Sequence, residues 1–285
     1  MKFSQPGADL FCPEGKDSGE TLASTTHLGI GAHADDLEIL AFPGITACLN
    51  HPTQRFSGVV VTDGAGAPRT GPFAKTSNDE LIRLRREEQK QAARLGHYAA
   101  VLQLGYPSAS IRPSPCPSLV AELRQILEAT QPQVIYLHNP ADRHLTHGAV
   151  LESSLAALRQ LPLSSRPREV YGCEVWGDLD WVPPSKVVRL PCTAPEDFGP
   201  SLLRCFRTQV EGGKRYDLAA AGRRRAQATF ADAYSPDSSG EVVLALDLLP
   251  LLQPQAPTLV DFVSGLIDEF KLLTAERIRK LGSDS

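Results

Sequence analysis

The amino-acid sequence predicts an α/β fold: a mostly parallel sheet with helices on both faces, a Rossmann-like three-layer sandwich. Three observations predict it. Short apolar or β-branched runs alternate with stretches of helical length and pattern from residue 27 to residue 161. The two clusters that combine histidine with carboxylate, His33–Glu38 and Asp142–His147, each stand where an apolar run gives way to a helix pattern. The chain has 285 residues, 42% of them hydrophobic and 22% charged, which suits one large globular α/β domain or two small ones.

Residues 1–25 read as an irregular lead-in. His27–His33 (HLGIGAH) reads as a short buried strand. Asp36–Asn50 follows as a helix that Pro43 bends or splits, because proline lacks the helical N–H and clashes with the preceding turn. Phe56–Thr62 (FSGVVVT) is β-branched and reads as a strand. Asp79–Leu95 is a charged amphipathic helix stopped at Gly96. Ala100–Leu104 is a strand, Ser118–Ala129 a helix, Gln133–Leu137 (QVIYL) a buried strand and Arg143–Leu161 a helix. Beyond Pro162 the pattern weakens. Glu169–Trp176 and Lys186–Leu190 read as strands; Ser201–Val210, Lys214–Ala233 and Leu259–Leu281 read as helices. The run Arg223–Arg225 reads as a solvated helix face, with a phosphate-binding role as the lesser alternative.

The net charge of −4 gives no electrostatic footprint for nucleic acid or for an anionic membrane. No apolar run approaches the roughly 20 residues that span a bilayer. The N-terminal stretch MKFSQPGADLFCPEG has no apolar signal core, so a cytoplasmic location is the default expectation. The six cysteines form no C-x-x-C pair and read as free thiols.

The segment Gly31–Leu40 (GAHADDLEIL) carries the clearest chemistry. It leaves a strand and enters a helix, and open α/β sheets bind ligands beyond the carboxyl ends of their strands. His33, Asp35 and Asp36 crowd one imidazole and two carboxylates into four residues. Two like charges that close are unfavourable unless a cation neutralises them. A divalent metal would do so, one Asp binding it and the other facing an activated water as general base. Two plainer readings stand beside this one. The acids could merely complement a helix dipole, with His33 a core histidine. Alternatively, Gly29-x-Gly31-x-x-Ala34 fits a loose dinucleotide fingerprint, although two Asp side chains beside a pyrophosphate would repel it.

The second cluster, Asp142-Arg143-His144-Leu145-Thr146-His147, also lies past a strand. His144 and His147 at i and i+3 share one helix face or its entry turn. His138 lies just upstream, and Asp142 can hydrogen-bond an imidazole N–H and set its tautomer. Together the two clusters supply three metal ligands, a carboxylate base and a spare imidazole, the pattern of an open catalytic zinc site.

These motifs resemble those of the LmbE-like, or PIG-L-like, zinc-dependent N-deacetylases. That family's AHPDDxE appears as Ala32-His33-Ala34-Asp35-Asp36-Leu37-Glu38, and its DRHPDH as Asp142–His147. Val60–Gly66, Arg85-x-x-Glu88 with Ala92, Ala93, Leu95 and Gly96, and Leu104–Pro107 resemble supporting segments; Phe206–Gln209 does so weakly. The likeness is good over about residues 27–160 and poor beyond, so the chain reads as one deacetylase domain, 1–285, with a poorly matched portion from about 210 to 285.

The resemblance implies that His33, Asp36 and His147 bind the metal and that Asp35 is the general base. His144 would protonate the leaving amine or stabilise the oxyanion. Arg85 and Arg143 are candidate substrate contacts, Arg85 having a solvated helix arginine as its equal alternative. The implied cofactor is Zn²⁺, with Fe²⁺ or another divalent ion compatible with the same ligands. The implied partner is a small N-acetylated, N-acetylglucosamine-like substrate, and the resemblance allows a homo-oligomer. Three positions depart from the pattern. Ala34 replaces Pro, and Leu145-Thr146 replaces Pro-Asp, which leaves Asp142 as the carboxylate available to tune the histidines. Ser108 stands where the family often has Asp. An O-deacetylase or amidase acting on a non-sugar substrate fits the same ligand set. A nucleotide-cofactor domain at Gly29–Ala34 and a non-catalytic binding module are the alternatives of other classes.

Overall fold

The computed structural model describes residues 1–281. In chain order they form β1 (Asp9–Phe11), α1 (Ser18–Ala23), β2 (His27–Gly31), α2 (Asp36–Leu40), α3 (Phe42–Cys48), β3 (Phe56–Thr62), α4 (Asn78–Leu95), β4 (Ala100–Tyr106), α5 (Ser108–Ile111), α6 (Pro117–Thr130), β5 (Val134–His138), α7 (Leu145–Arg159), β6 (Glu169–Cys173), β7 (Val187–Pro191), α8 (Phe198–Arg204), α9 (Arg207–Val210), α10 (Tyr216–Thr229), β8 (Val242–Asp247) and α11 (Leu259–Leu281), with four short 3₁₀ turns between them.

All eight strands join one sheet in the order β1-β4-β3-β2-β5-β6-β8-β7. The five central strands, β4-β3-β2-β5-β6, run parallel. β1 adds antiparallel to one edge, and β8 and then β7 add antiparallel to the other. The fold class is therefore the mostly parallel α/β sandwich that the alternation of elements predicts. β2 and β5 are neighbours whose chain continuations run to opposite sides. Their carboxyl ends thus bracket the topological switch point, where such sheets open a crevice.

Side chains alternate across the strands, so each covered face collects its own core. Leu28, Ile30, Val59 and Val61 point to one face, under α6 and α7, with Leu123, Leu127, Val150 and Leu155. Val60 and Val101 point to the other, under α2, α3 and α4, with Leu37, Leu40, Phe42 and Ala93. Each buried Leu or Val removed from water contributes roughly 1.5–3 kcal/mol.

Several expectations are corrected. Residues 1–25 are not an irregular lead-in: they hold β1, which three residues pair with β4, and α1, whose N-cap Asp17 accepts from the N–H groups of Gly19 and Glu20. The segment Asp36–Asn50 is split, as Pro43 predicts, with the break at Ala41 and Pro43 in the first turn of α3, where its missing N–H costs nothing. The helix expected at Ser201–Val210 is also two, α8 and α9. The helix expected from Arg143 begins at Leu145, which leaves Arg143 in the loop and His144 at the N-cap. β8 is a strand beyond those that the sequence pattern predicts. Among the described residues no helix is long and apolar enough to cross a membrane, and all six cysteines are free thiols.

Candidate active site

The glycines of β2 explain why the first cluster reaches the crevice. A Cβ on Gly29 would stand 2.9 Å from Ala41 Cβ and 3.0 Å from Leu37 Cδ2, and one on Gly31 would stand 2.9 Å from Asp36 Cβ. Their bare backbone lets α2 lie directly on the strand, with Asp36 over its end. These glycines sit inside a strand and are filled by Leu37 and Asp36, so they do not form the phosphate-cradling loop of a dinucleotide site. Asp35 takes φ 91°, ψ −24°, in the left-handed region that Asp tolerates better than most residues.

Three donor atoms meet beyond β2 and β5. His33 Nδ1 lies 3.2 Å from His147 Nε2 and 3.3 Å from Asp36 Oδ2, and His147 Nε2 lies 3.4 Å from Asp36 Oδ2. A tetrahedral ion with Zn–N and Zn–O bonds of about 2.0–2.1 Å needs donors roughly 3.3–3.4 Å apart, so the triangle has the right size for it. The donor set, two imidazoles and a carboxylate, also suits such an ion. Asp36 Oδ2 is further held by the His33 N–H at 2.7 Å. Histidine charge around it and the hydrogen bond from His33 outweigh burial and keep Asp36 well below the ordinary carboxylate range.

His144 and His138 flank the triangle. His33, His144 and His147 form one group of donor atoms within 4.8 Å of one another, and Asp36, His138 and His147 form a second. His138 does not compete as a ligand. Its Nε2 accepts the Ala32 N–H at 3.0 Å, which occupies the lone pair facing the site, and its ring stacks on His147 at 3.8 Å between centroids. Burial pushes the His138 pKa down to about 3 and also lowers that of His144. His147 is raised, because Asp36 and Asp142 favour its cation more than burial opposes it.

Asp142 Oδ2 lies 3.1 Å from His147 Nδ1, and its Oδ1 accepts the His144 N–H at 2.8 Å. Leu145, which replaces the family's Pro, is 77% exposed and touches none of this, while Thr146 is buried. Asp142 therefore places its carboxylate against both histidines.

Asp35 lies against the base of α4. Its N–H donates to Gln89 Oε1 at 3.4 Å, and Arg85 Nη2 stands 3.7 Å from its Oδ2, which has no hydrogen-bond partner. Burial, opposed by Arg85 and reinforced by Asp36, pushes Asp35 up to about 8. Arg85 is not a solvated helix arginine: it is 2% exposed and donates to the Ala34 carbonyl at 2.7 Å. Nor does a longer side chain fit opposite it, since a Cβ on Gly64 would lie 2.7 Å from Arg85 Nε. Glu38 is buried one turn on. It accepts from the Tyr98 hydroxyl at 2.7 Å and from Gln89 Nε2 at 2.8 Å, and burial raises it to about 7.

Sequence reasoning missed Gln89, Tyr98 and Thr208 as supports. Thr208 binds Glu88 through both its N–H at 2.8 Å and its hydroxyl at 2.6 Å, and so fixes α9 against α4. Its only sequence signal is the weak Phe206–Gln209 likeness. A cavity of about 630 Å³ opens over the triangle; Asp35, Asp36, His33, Arg85, Arg143 and His144 all line it, with Trp176 and Tyr216 on its walls. The Arg223–Arg225 run is not one solvated face. Arg224 is buried against Glu241 at 3.0 Å, Arg225 pairs with Glu196 at 2.7 Å, and Arg223 lines the cavity.

Comparisons with known proteins agree with this architecture. Residues 28–158 match the model of the family described as PIG-L, GlcNAc-PI de-N-acetylase. No curated protein sequence matches the chain. Solved structures with the same fold include the conserved protein TT1542 from Thermus thermophilus (17% identity, 82% of this chain and 96% of that one, TM-score 0.60). The N,N'-diacetylchitobiose deacetylase from Pyrococcus horikoshii is also similar (19% identity, 86% and 92%, TM-score 0.58). So is GalB, the 4-carboxy-2-hydroxymuconate hydratase from Pseudomonas putida (16% identity, 78% and 95%, TM-score 0.57).

Proposed function

With residues 28–158 matching the PIG-L family of de-N-acetylases, we propose that this chain is a metal-dependent hydrolase that removes the N-acetyl group from an N-acetylglucosamine-like substrate. The observation that carries the reading is the triangle of His33 Nδ1, Asp36 Oδ2 and His147 Nε2, with sides of 3.2–3.4 Å, at the floor of a cavity that Asp35 also lines.

His33, Asp36 and His147 would hold the ion. When bound, a divalent ion such as Zn²⁺ supplies Lewis-acid polarisation and a water that ionises near neutral pH. Asp35, whose proton affinity burial raises while Arg85 opposes it, takes the proton of the attacking water. His144 is favoured as the neutral imidazole, because burial lowers its pKa. It donates a hydrogen bond to the developing oxyanion, a contact made more strongly in the transition state than in the ground state. The proton gained by Asp35 then passes to the nitrogen, which leaves as a free amine beside acetate. Asp142 holds His147 and the entry of α7, so both histidines keep their aim.

A fold shared with a hydratase makes reaction type the point to test. The experiment is elemental analysis of the purified protein, followed by an amine-release screen across N-acetylated sugars with O-acetyl esters as the contrast. Bound divalent metal and amine release from an N-acetyl sugar are expected. An ion-loaded protein that releases acetate only from esters, or no amine from any N-acetylated compound, defeats the reading.

A further inference from the structure

The same cavity carries a charge that the proposed chemistry does not use. Four cations reach it from four separate places: Arg112 at the end of α5, Arg143 in the β5–α7 loop, Lys214 in the α9–α10 loop and Arg223 in α10. Among the described residues none of the four makes an ion pair with a carboxylate, whereas the neighbours of Arg223, Arg224 and Arg225, are paired with Glu241 and Glu196. Two of the four are nonetheless held in place. Arg143 Nε donates to the Trp176 carbonyl at 2.7 Å, and Arg223 Nη1 to the adjoining Val175 carbonyl at 2.8 Å. Lys214 Nζ sits 5.3 Å from the centre of the Trp176 ring. Carbonyls and a ring face fix a cation without pairing it, and the one buried acid that Arg223 senses, Glu174, makes no ion pair with it among the described residues. The acids of the cavity, Asp35 and Asp36, are engaged at the floor by Arg85 and by the imidazoles.

Converging like charges is unfavourable unless a ligand resolves it, and a concave wall of one sign concentrates counter-ions. This happens in a chain whose net charge is −4, so the bulk composition does not produce it. Guanidinium groups match the planar or tetrahedral oxygens of carboxylate and phosphate. We propose that the non-reacting part of the substrate carries such an oxyanion, a phosphate ester or a carboxylate, held at the mouth by Arg143, Arg223, Lys214 and Arg112, with its carbon frame against Trp176 and Tyr216. The proposal deepens the deacetylase reading, but its test needs no turnover.

The test is calorimetric binding of glucose, glucose 1-phosphate, glucose 6-phosphate and glucuronate to the full chain, with and without EDTA. At least one of the three anionic sugars is expected to bind about tenfold or more tightly than glucose, a difference that shrinks as salt rises. Preference for a phosphate or for glucuronate tells which oxyanion the site takes. The preference must survive EDTA, fall in Arg223→Ala and Arg143→Ala, and persist in Arg225→Ala, whose side chain is paired outside the cavity. Arg112→Ala, at an exposed side chain without a hydrogen bond among the described residues, serves as a second variant should the others fold poorly. Equal binding of neutral and anionic sugars, loss of the preference in EDTA, or an Arg225→Ala effect as large as that of Arg223→Ala overturns the proposal. Absent turnover with intact anion preference would instead count against the deacetylase reading alone.

Discussion

Asp142 reaches two histidines at once: its Oδ2 lies 3.1 Å from His147 Nδ1 while its Oδ1 takes the His144 N–H at 2.8 Å. An imidazole whose far nitrogen faces a carboxylate keeps its near nitrogen unprotonated and aimed, which is the usual support of a metal-binding histidine. Asp142→Ala should therefore weaken metal affinity by about 10–100-fold. Competition with a chromogenic chelator measures it, and an unchanged affinity removes Asp142 from the supporting role.

Asp35 has the geometry of a base and the backbone of a turn. Since φ 91° strains most residues, Asp35→Asn is the better variant than Asp35→Ala. It should keep its metal and lose amine release by roughly a hundredfold or more, the scale of acid–base catalysis. Loss of metal together with activity would place Asp35 among the ligands instead.

Metal removal should soften the whole molecule. An ion present at about a hundred times its dissociation constant contributes roughly 2.7 kcal/mol to the folded state. Chelation should lower the melting temperature of the native protein, and added Zn²⁺ should restore it. His33→Ala should show neither response, and a normal response in that variant excludes His33 as a ligand.

Glu174 offers a pH test away from the catalytic chemistry. Burial raises it from the ordinary 4.5 to about 7, against the opposing hydrogen bonds from Gln227 and the Leu179 N–H. A carboxyl with a raised folded pKa binds more protons folded than unfolded. Its contribution is complete below 4.5 and is lost as pH rises through about 7. Glu174→Gln removes that titration, so its stability should fall less steeply across this window. Urea unfolding at several pH values reads the slopes, and parallel curves for the two proteins refute the assignment.

Leu37 fills the space that two strand glycines leave. A Cβ on Gly58 would stand 2.5 Å from Leu37 Cδ1. Gly58→Ala should destabilise by about 1–3 kcal/mol through overpacking, and adding Leu37→Val should recover part of the loss. Denaturant midpoints for the single and double variants decide it.

The centre of the fold was legible because its information is local. β2, β3 and β5 are apolar runs, and each donor cluster sits where the strand pattern changes to a helical one. The edges were not. β1 is three residues long and is specified by pairing with β4, which no local pattern records. The apolar run of β8 is broken at Asp247, whose carboxylate accepts the Leu249 N–H at 2.9 Å, but apolar residues resume at Leu248–Leu252 and blur the strand's end in sequence. In the site, the residue types and order of the donors were readable. The environment of Arg85 was not, because Thr208 meets it from 123 residues further along the chain. The Arg223–Arg225 run looked uniform, yet three consecutive helical side chains point in different directions, and only packing decides which one sees the cavity.

His33 and His147 touch across 114 residues of chain. Neither loop alone offers more than part of a coordination shell, so a newly made polypeptide has nothing to grip an ion until β2 and β5 lie side by side. Ion capture by the proposed ligands would then follow the pairing of β2 with β5. A nascent chain that ends before α7 would leave the ribosome blind to the metal, however much of it the cell contains.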